Sequence, residues 1–146
     1  MIGQVAAFLQ PPPASPRVRR IVLAVSPWPP EQGALRLWAI QEGWRLLLVD
    51  TLEAALELRQ EWYITVILYD RDLPDVEWRT GMQRLLTCSE PTCLILMSST
   101  VDHRLWRTVL EYGGYDVAEK PLSRESLVPL VNAACVLAHA VDYVGV

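Results

Sequence analysis

The sequence predicts an α/β fold: a doubly wound, five-stranded parallel sheet with helices on both faces, in three layers. Two observations carry this. Short apolar runs and amphipathic stretches alternate five times along the 146 residues, with no internal repeat, and such alternation builds parallel sheets covered by helices. The runs themselves, of which Ile64–Asp70 (ITVILYD) is the clearest, are apolar almost throughout, as strands buried on both faces are. Right-handed crossovers then make a doubly wound sandwich the natural topology.

The elements follow in order. Residues 1–18, with Pro11-Pro12-Pro13, read as a Pro-rich leader that stays extended and unpacked. The globular domain is expected over residues 19–142, with 143–146 as a tail. Arg20–Val25 (RIVLAV) is the first strand. Ser26-Pro27-Trp28-Pro29-Pro30 makes a stiff loop, and Pro30 suits the first turn of a helix. Glu31–Gln41 repeats apolar residues at Leu35, Leu37, Trp38 and Ile40 and stops before Gly43, a residue suited to capping a helix. Arg45–Val49 is the second strand, and Thr51–Arg59 a helix with Leu52, Ala55, Leu56 and Leu58 inward.

Beyond the central strand, Trp78–Thr87 reads as a helix and Thr92–Met97 (TCLILM) as a buried strand. Asp102–Tyr112 is helical, and Tyr115–Ala118 is a short fifth strand. The last helix is expected to start with Ser126 as its cap, which puts Pro129 inside the first turn, where it is tolerated.

Composition narrows the function. A net charge of −4 and a pI near 5.1 supply no basic footprint for direct nucleic-acid binding. Cys88, Cys93 and Cys135 are odd in number and form no C-x-x-C pair, so neither a disulfide framework nor a zinc site follows, and a reducing cytoplasm is the simplest setting. His103 and His139 have no metal-ligating partner nearby in sequence. The first ten residues lack a charged segment before their apolar stretch. The apolar tail from Leu127 is broken by Pro129, Asn132, His139 and Asp142, so no membrane span is expected.

Chemistry is expected where the strands end. Open α/β sheets place their ligands at the carboxyl edge, and that edge should gather Ser26, Asp70, Ser98 and Lys120-Pro121. A carboxylate, a hydroxyl and an ammonium together make a phosphoryl site, the first as nucleophile and the others as partners for phosphoryl oxygens. The chain has twelve arginines and a single lysine, Lys120. A compact ammonium reaching a buried carboxylate is not exchangeable for a guanidinium. Each residue alone has a plainer reading: an Asp after a strand is more often a turn or cap residue. Ser98 could be a loop hydroxyl, with Ser99 or Thr100 capping the next helix. Asp72 and Asp75 read as solvated turn carboxylates, and Trp28 as a cover over the sheet edge or the site.

From about Arg20 to His139 the chain resembles the receiver domains of bacterial two-component response regulators. The resemblance rests on LYDRDLPD around Asp70, on MSS at 97–99 and on GGYDVAEKPL at 113–122. The spacings of 28 positions from Asp70 to Ser98 and 50 to Lys120 are like the family's. It implies a flavodoxin-like sheet of strand order 2-1-3-4-5. It also implies that Asp70 accepts a phosphoryl group from a sensor histidine kinase or phosphotransfer protein, and that Ser98 and Lys120 respond to it. The signal would then leave through the face made by the fourth helix, fifth strand and fifth helix. Fewer than ten residues follow the last helix, so a stand-alone receiver acting through protein contacts is expected.

Two departures from the family pattern matter. Receivers usually follow their first strand with two adjacent acidic residues that hold Mg²⁺, and here those positions read Ser26-Pro27. Mg²⁺ prefers octahedral oxygen ligands, carboxylates among them, so the resemblance leaves Asp70 and Asp72 as metal ligands and weakens Mg²⁺ binding. Val117 stands where many receivers carry a switch aromatic, and Tyr115 is offset by two. Three readings follow: a receiver phosphorylated on Asp70; a degenerate pseudo-receiver that docks or dimerises without phosphorylation; and a phosphatase. In the second, Lys120 pairs directly with Asp70, worth about 4 kcal/mol at about 4 Å before desolvation. The third rests on Asp70-x-Asp72, Ser98 and Lys120, which also resemble haloacid-dehalogenase phosphatases. That family places its Asp-x-Asp after the first core strand and needs a later acidic pair, and neither is found.

The fourth helix carries an inward stripe of Val101, Leu105, Val109 and Tyr112 and a second one of Trp106 and Leu110. The fifth, with Leu130, Val131, Ala134, Val136, Leu137 and Val141, is more apolar than one core face requires. A homodimer or protein partner is therefore expected on these helices, through Trp106, Leu110, Leu130 and Leu137.

Overall fold

The computed structural model describes residues 20–74, 76–87 and 90–144, with side chains as far as Ala138. The expected leader, Asp75, Cys88 and the side chains of His139 and Val141 lie outside the described residues. Strand and helix alternate as β1 (Ile21–Val25), α1 (Pro29–Glu42), β2 (Arg45–Val49), α2 (Leu52–Glu61), β3 (Val66–Asp70), α3 (Trp78–Leu86), β4 (Cys93–Ser98), α4 (His103–Glu111), β5 (Asp116–Glu119) and α5 (Arg124–Val144). The strands form one parallel sheet of order β2-β1-β3-β4-β5, the order expected.

Alternate side chains of the buried strands feed two cores. Val22, Ala24, Val66, Leu68, Ile95 and Met97 pack on one face beneath α1 and α5. Leu23, Val25, Ile67, Tyr69, Leu94 and Leu96 pack on the other beneath α2, α3 and α4. This period of two in strands that look uniformly apolar is what helices on both faces demand. No helix among the described residues is long and apolar enough to cross a membrane.

Helix ends follow local chemistry. Pro29 opens α1, and Gly43 closes it in the left-handed region at φ 75°, its N–H bonded to the Ala39 carbonyl. The Thr51 hydroxyl accepts from the Ala54 N–H, Glu77 from Arg79 and Thr80, and Asp102 from Leu105, each meeting an otherwise orphaned donor.

Several expectations are corrected. The cap of α5 is Ser123, whose hydroxyl accepts from the Ser126 N–H at 3.2 Å. Pro129 is thus the sixth helical residue, one turn deeper than expected. The α4 cap is Asp102, not Ser99 or Thr100. On α1, Leu37 and Ile40 face outward, 53% and 80% exposed, because Leu35, Trp38 and Ala39, with Ala34 beside them, fill the stripe facing the sheet. On α4, Leu105 and Val109 are buried, whereas Val101 and Tyr112 at the helix ends are exposed. Leu130 packs against the core instead of standing free.

Close packing of β3 against α3 yields a test. A Cβ built at Gly81 would come 1.8 Å from the Tyr69 hydroxyl oxygen. Gly81→Ala is therefore expected to cost about 1–3 kcal/mol through overpacking, read as a lowered urea midpoint. That hydroxyl is buried with no hydrogen-bond partner among the described residues, so Tyr69→Phe is expected to leave stability unchanged or raise it.

Candidate functional site

Strand register brings the expected residues to one edge. Val25 pairs with Tyr69, Asp70 with Met97, and Ser98 with Glu119. Ser26, Asp70, Ser98 and Lys120 therefore lie at or one step beyond the ends of four parallel strands. Backbone bonds fix this rim: the Ser26 N–H donates to the Val49 carbonyl at 2.9 Å, Arg71 to Met97 at 2.9 Å and Lys120 to Ser98 at 2.9 Å.

Asp70 is fully buried, at 0% exposure. The Lys120 ammonium donates to both its oxygens, at 2.9 Å to Oδ1 and 3.1 Å to Oδ2, and the Asp72 N–H donates to Oδ1 at 2.8 Å. A buried carboxylate needs such partners, because an uncompensated charge is costly away from water. Burial works to lower the Lys120 pKa, but the hydrogen bonds to Asp70 and its charge, with Glu31 and Asp72, outweigh it and hold the ammonium above its ordinary 10.5. The stability this supplies is present below that value and is lost as pH climbs through the higher folded-state value.

Ser98 is buried beside the pair rather than bonded to it. Its hydroxyl donates to the Thr100 carbonyl at 2.7 Å and accepts from Arg71 at 3.2 Å and from the Thr100 N–H at 3.2 Å. The Arg71 guanidinium lies over the Trp78 ring, 5.6 Å from its centroid. Asp72 is a largely solvated carboxylate, its side chain 57% exposed, yet it reaches Lys120 at 3.5 Å. The interface candidates stand elsewhere: Trp106, Leu110 and Leu137 are exposed on α4 and α5.

Sequence reasoning missed Glu31. The buried Ser26 hydroxyl donates to Glu31 Oε1 at 2.5 Å, drawing a carboxyl from the first turn of α1 toward the rim where the acidic pair is absent. Gln32 supports the turn by donating to the Ser26 carbonyl at 2.7 Å. Burial raises the Glu31 pKa above 4.5; the Ser26 bond pulls it back, while the Asp70 charge raises it and Lys120 lowers it. The Ser-Pro-x-Pro-Pro-Glu spelling of residues 26–31 was the available signal, since prolines at a helix start fix which first-turn side chain faces the strand end.

These donors do not suit Mg²⁺. Among the described residues, no three carboxylate, imidazole or thiol groups come together as a metal would require. Both oxygens of Asp70 are already held by an ammonium, and Ser26 and Pro27 offer no carboxylate.

No protein-family model matches the sequence, and no curated protein matches it. Solved structures do match in fold. The receiver domain of TorR, response regulator of the TMAO respiratory system, is 26% identical, covers 78% of this chain and 94% of its own, and superposes with a TM-score of 0.71. The beryllofluoride-activated NtrC4 receiver domain, solved as a dimer, is 21% identical over 82% of this chain and 98% of its own, at 0.75. The receiver domain of sensor histidine kinase PA1611 from Pseudomonas aeruginosa PAO1, which holds a magnesium ion in its active-site cleft, is 18% identical over 80% of this chain and 98% of its own, at 0.70.

Two outcomes check the rim. Lys120→Met leaves a buried carboxylate without its cation and is expected to cost about 3–5 kcal/mol, measured by urea denaturation at neutral pH. A carboxyl with a raised folded-state pKa binds its proton more tightly when folded, so stability falls as pH climbs above 4.5 toward the raised value. Glu31→Gln is expected to flatten that decline, seen as a shallower dependence of the thermal midpoint on pH over the same window.

Proposed function

We propose that this chain, which has the fold of response-regulator receiver domains, is a pseudo-receiver: a signalling module that acts through protein contacts without a stable phosphorylated state. One observation carries the reading. Asp70 is fully buried beneath Lys120, which engages both its oxygens. An incoming phosphodonor has to displace that ammonium, and among the described residues no carboxylate set is placed to hold a cation that would neutralise the donor's charge. Phosphoryl transfer is catalysed almost wholly by positioning and charge stabilisation, so losing the cation site removes most of what the reaction needs. Lys120, with its charge committed to Asp70, becomes a fixed strut between β3 and the loop after β5.

The alternative, phosphorylation of Asp70 with Ser98 and Lys120 responding, is favoured by their convergence on one rim. The Ser98 hydroxyl, however, is held by Thr100 and Arg71. A haloacid-dehalogenase-like phosphatase is disfavoured by chain order, since Asp70 closes the third strand.

Output is assigned to the exposed apolar residues of α4 and α5, Trp106, Leu110, Val136 and Leu137. The two helices cover opposite faces of the sheet, on either side of the edge strand β5 in chain order, and exposed large apolar groups mark interaction surfaces. The occupant is a protein partner or a second copy of this chain. Light scattering over a concentration series is expected to show self-association that Trp106→Ala weakens; only monomer at all concentrations leaves a different protein as the partner.

Incubation with acetyl phosphate and Mg²⁺ followed by intact-mass measurement tests the central reading. No phosphoryl adduct is expected. A mass gain that disappears in Asp70→Asn establishes the phosphoacceptor instead, and release of phosphate from small phosphoesters that needs Asp70 establishes the phosphatase.

A further inference from the structure

Beside the rim lies a cavity of about 500 Å³ lined by Trp28, Pro30, Ala34, Pro121, Leu122 and Ser99, with Glu31 and Lys120 in its wall. Its size falls in the range of small-molecule sites, and such sites are mostly apolar with a few converging polar groups. The lining fits that description: an indole, two prolines, an alanine and a leucine surround one carboxyl and one ammonium.

Charge selects among ligands. The Lys120 ammonium is already spent on Asp70 and Asp72, and three carboxyl groups, Glu31, Asp70 and Asp72, act on that one cation. Arg71, which donates to the Ser98 hydroxyl at 3.2 Å, does not line the cavity. Its guanidinium lies over Trp78, which packs in the core of the opposite sheet face from the one Ala34 and Leu122 border. An anionic ligand would therefore meet an excess of negative charge. Trp28 supplies the second argument. Its ring is 50% exposed at the cavity wall, and indole faces attract cations more strongly than any other side-chain ring.

We propose that this cavity binds a small organic cation, an aromatic or branched apolar body carrying one protonated amine, with the body between Trp28, Ala34 and Leu122 and the ammonium directed at the Glu31 carboxyl. The site adjoins the Asp70–Lys120 pair, so an occupant bears directly on the strut without touching the exposed apolar residues of α4.

The test is a titration of the isotope-labelled full chain, followed by two-dimensional NMR, with three probes of one shape: phenethylammonium, phenethyl alcohol and phenylacetate. Phenethylammonium at millimolar concentration is expected to give saturable shifts at the Trp28 indole N–H and the Leu122 amide. Phenylacetate should bind about tenfold more weakly or worse, with the alcohol between them. Ala34→Leu, which narrows the cavity where the apolar body sits, should weaken the shifts at least severalfold while the spectrum stays dispersed. Trp28→Ala, which removes a wall the apolar body packs against and an indole face that favours the cation, should weaken both phenethylammonium and the alcohol at the Leu122 amide, the ammonium by the larger factor. The proposal is overturned if no probe saturates, if the alcohol or phenylacetate binds as tightly as the amine, or if both variants bind like the parent chain.

Discussion

A single ion pair sets the character of this molecule. Asp70 has no access to water, and a carboxylate in that position persists only with a cation and hydrogen bonds around it. Lys120 and the Asp72 N–H supply them. The parallel register makes the encounter possible, because four strands end together and the loop after β5 returns the chain's only lysine to the centre of the edge. Ser26 and Glu31, Asp72, Arg71 and Ser98 then arrange themselves around that pair.

The rim also bears on the acidic pair that the sequence resemblance leads one to expect after β1 and that Ser26 and Pro27 replace. Two carboxylates at positions 26 and 27 would add negative charge beside a buried Asp70 that has one ammonium to share. Ser26 and Pro27 remove that repulsion. Glu31 restores a single carboxyl at the same corner, tied down by the Ser26 hydroxyl and held toward its neutral form by burial. Function as a cation-dependent phosphate acceptor and a rim that closes on itself are competing solutions to one electrostatic problem, and the pseudo-receiver proposed above is the second of them.

Much of the fold was legible because its signals are short-range. The strands are apolar runs whose ends carry polar residues, and Gly43 takes the left-handed conformation that few other residues tolerate. The meeting of Asp70 with Lys120 was legible too, from spacing and from the rarity of lysine. What escaped was decided by tertiary context. Leu37 and Ile40 look like core residues, but α1 has one stripe to bury and Leu35 and Trp38 take it. Arg59 ends its helix in sequence, yet it is buried, donating to the carbonyls of Leu85 and Glu90 at 3.0 and 2.9 Å, which no local pattern announces. Ser126 has the residue type of a cap, but the helix already begins at Arg124 and the Ser126 N–H donates to the Ser123 hydroxyl. Glu31 reads as an ordinary first-turn acid until Ser26 is seen beside it.

A crystal structure of the chain soaked in magnesium and beryllofluoride tests the closed rim most directly. With Lys120 as a permanent partner, its Nζ should remain within hydrogen-bond distance of both Asp70 oxygens, with no octahedral ion at that carboxylate and no fluoride adduct on it. A cation coordinated by Asp70 together with Asp72 or Glu31, and Lys120 swung away onto the adduct, would contradict the account.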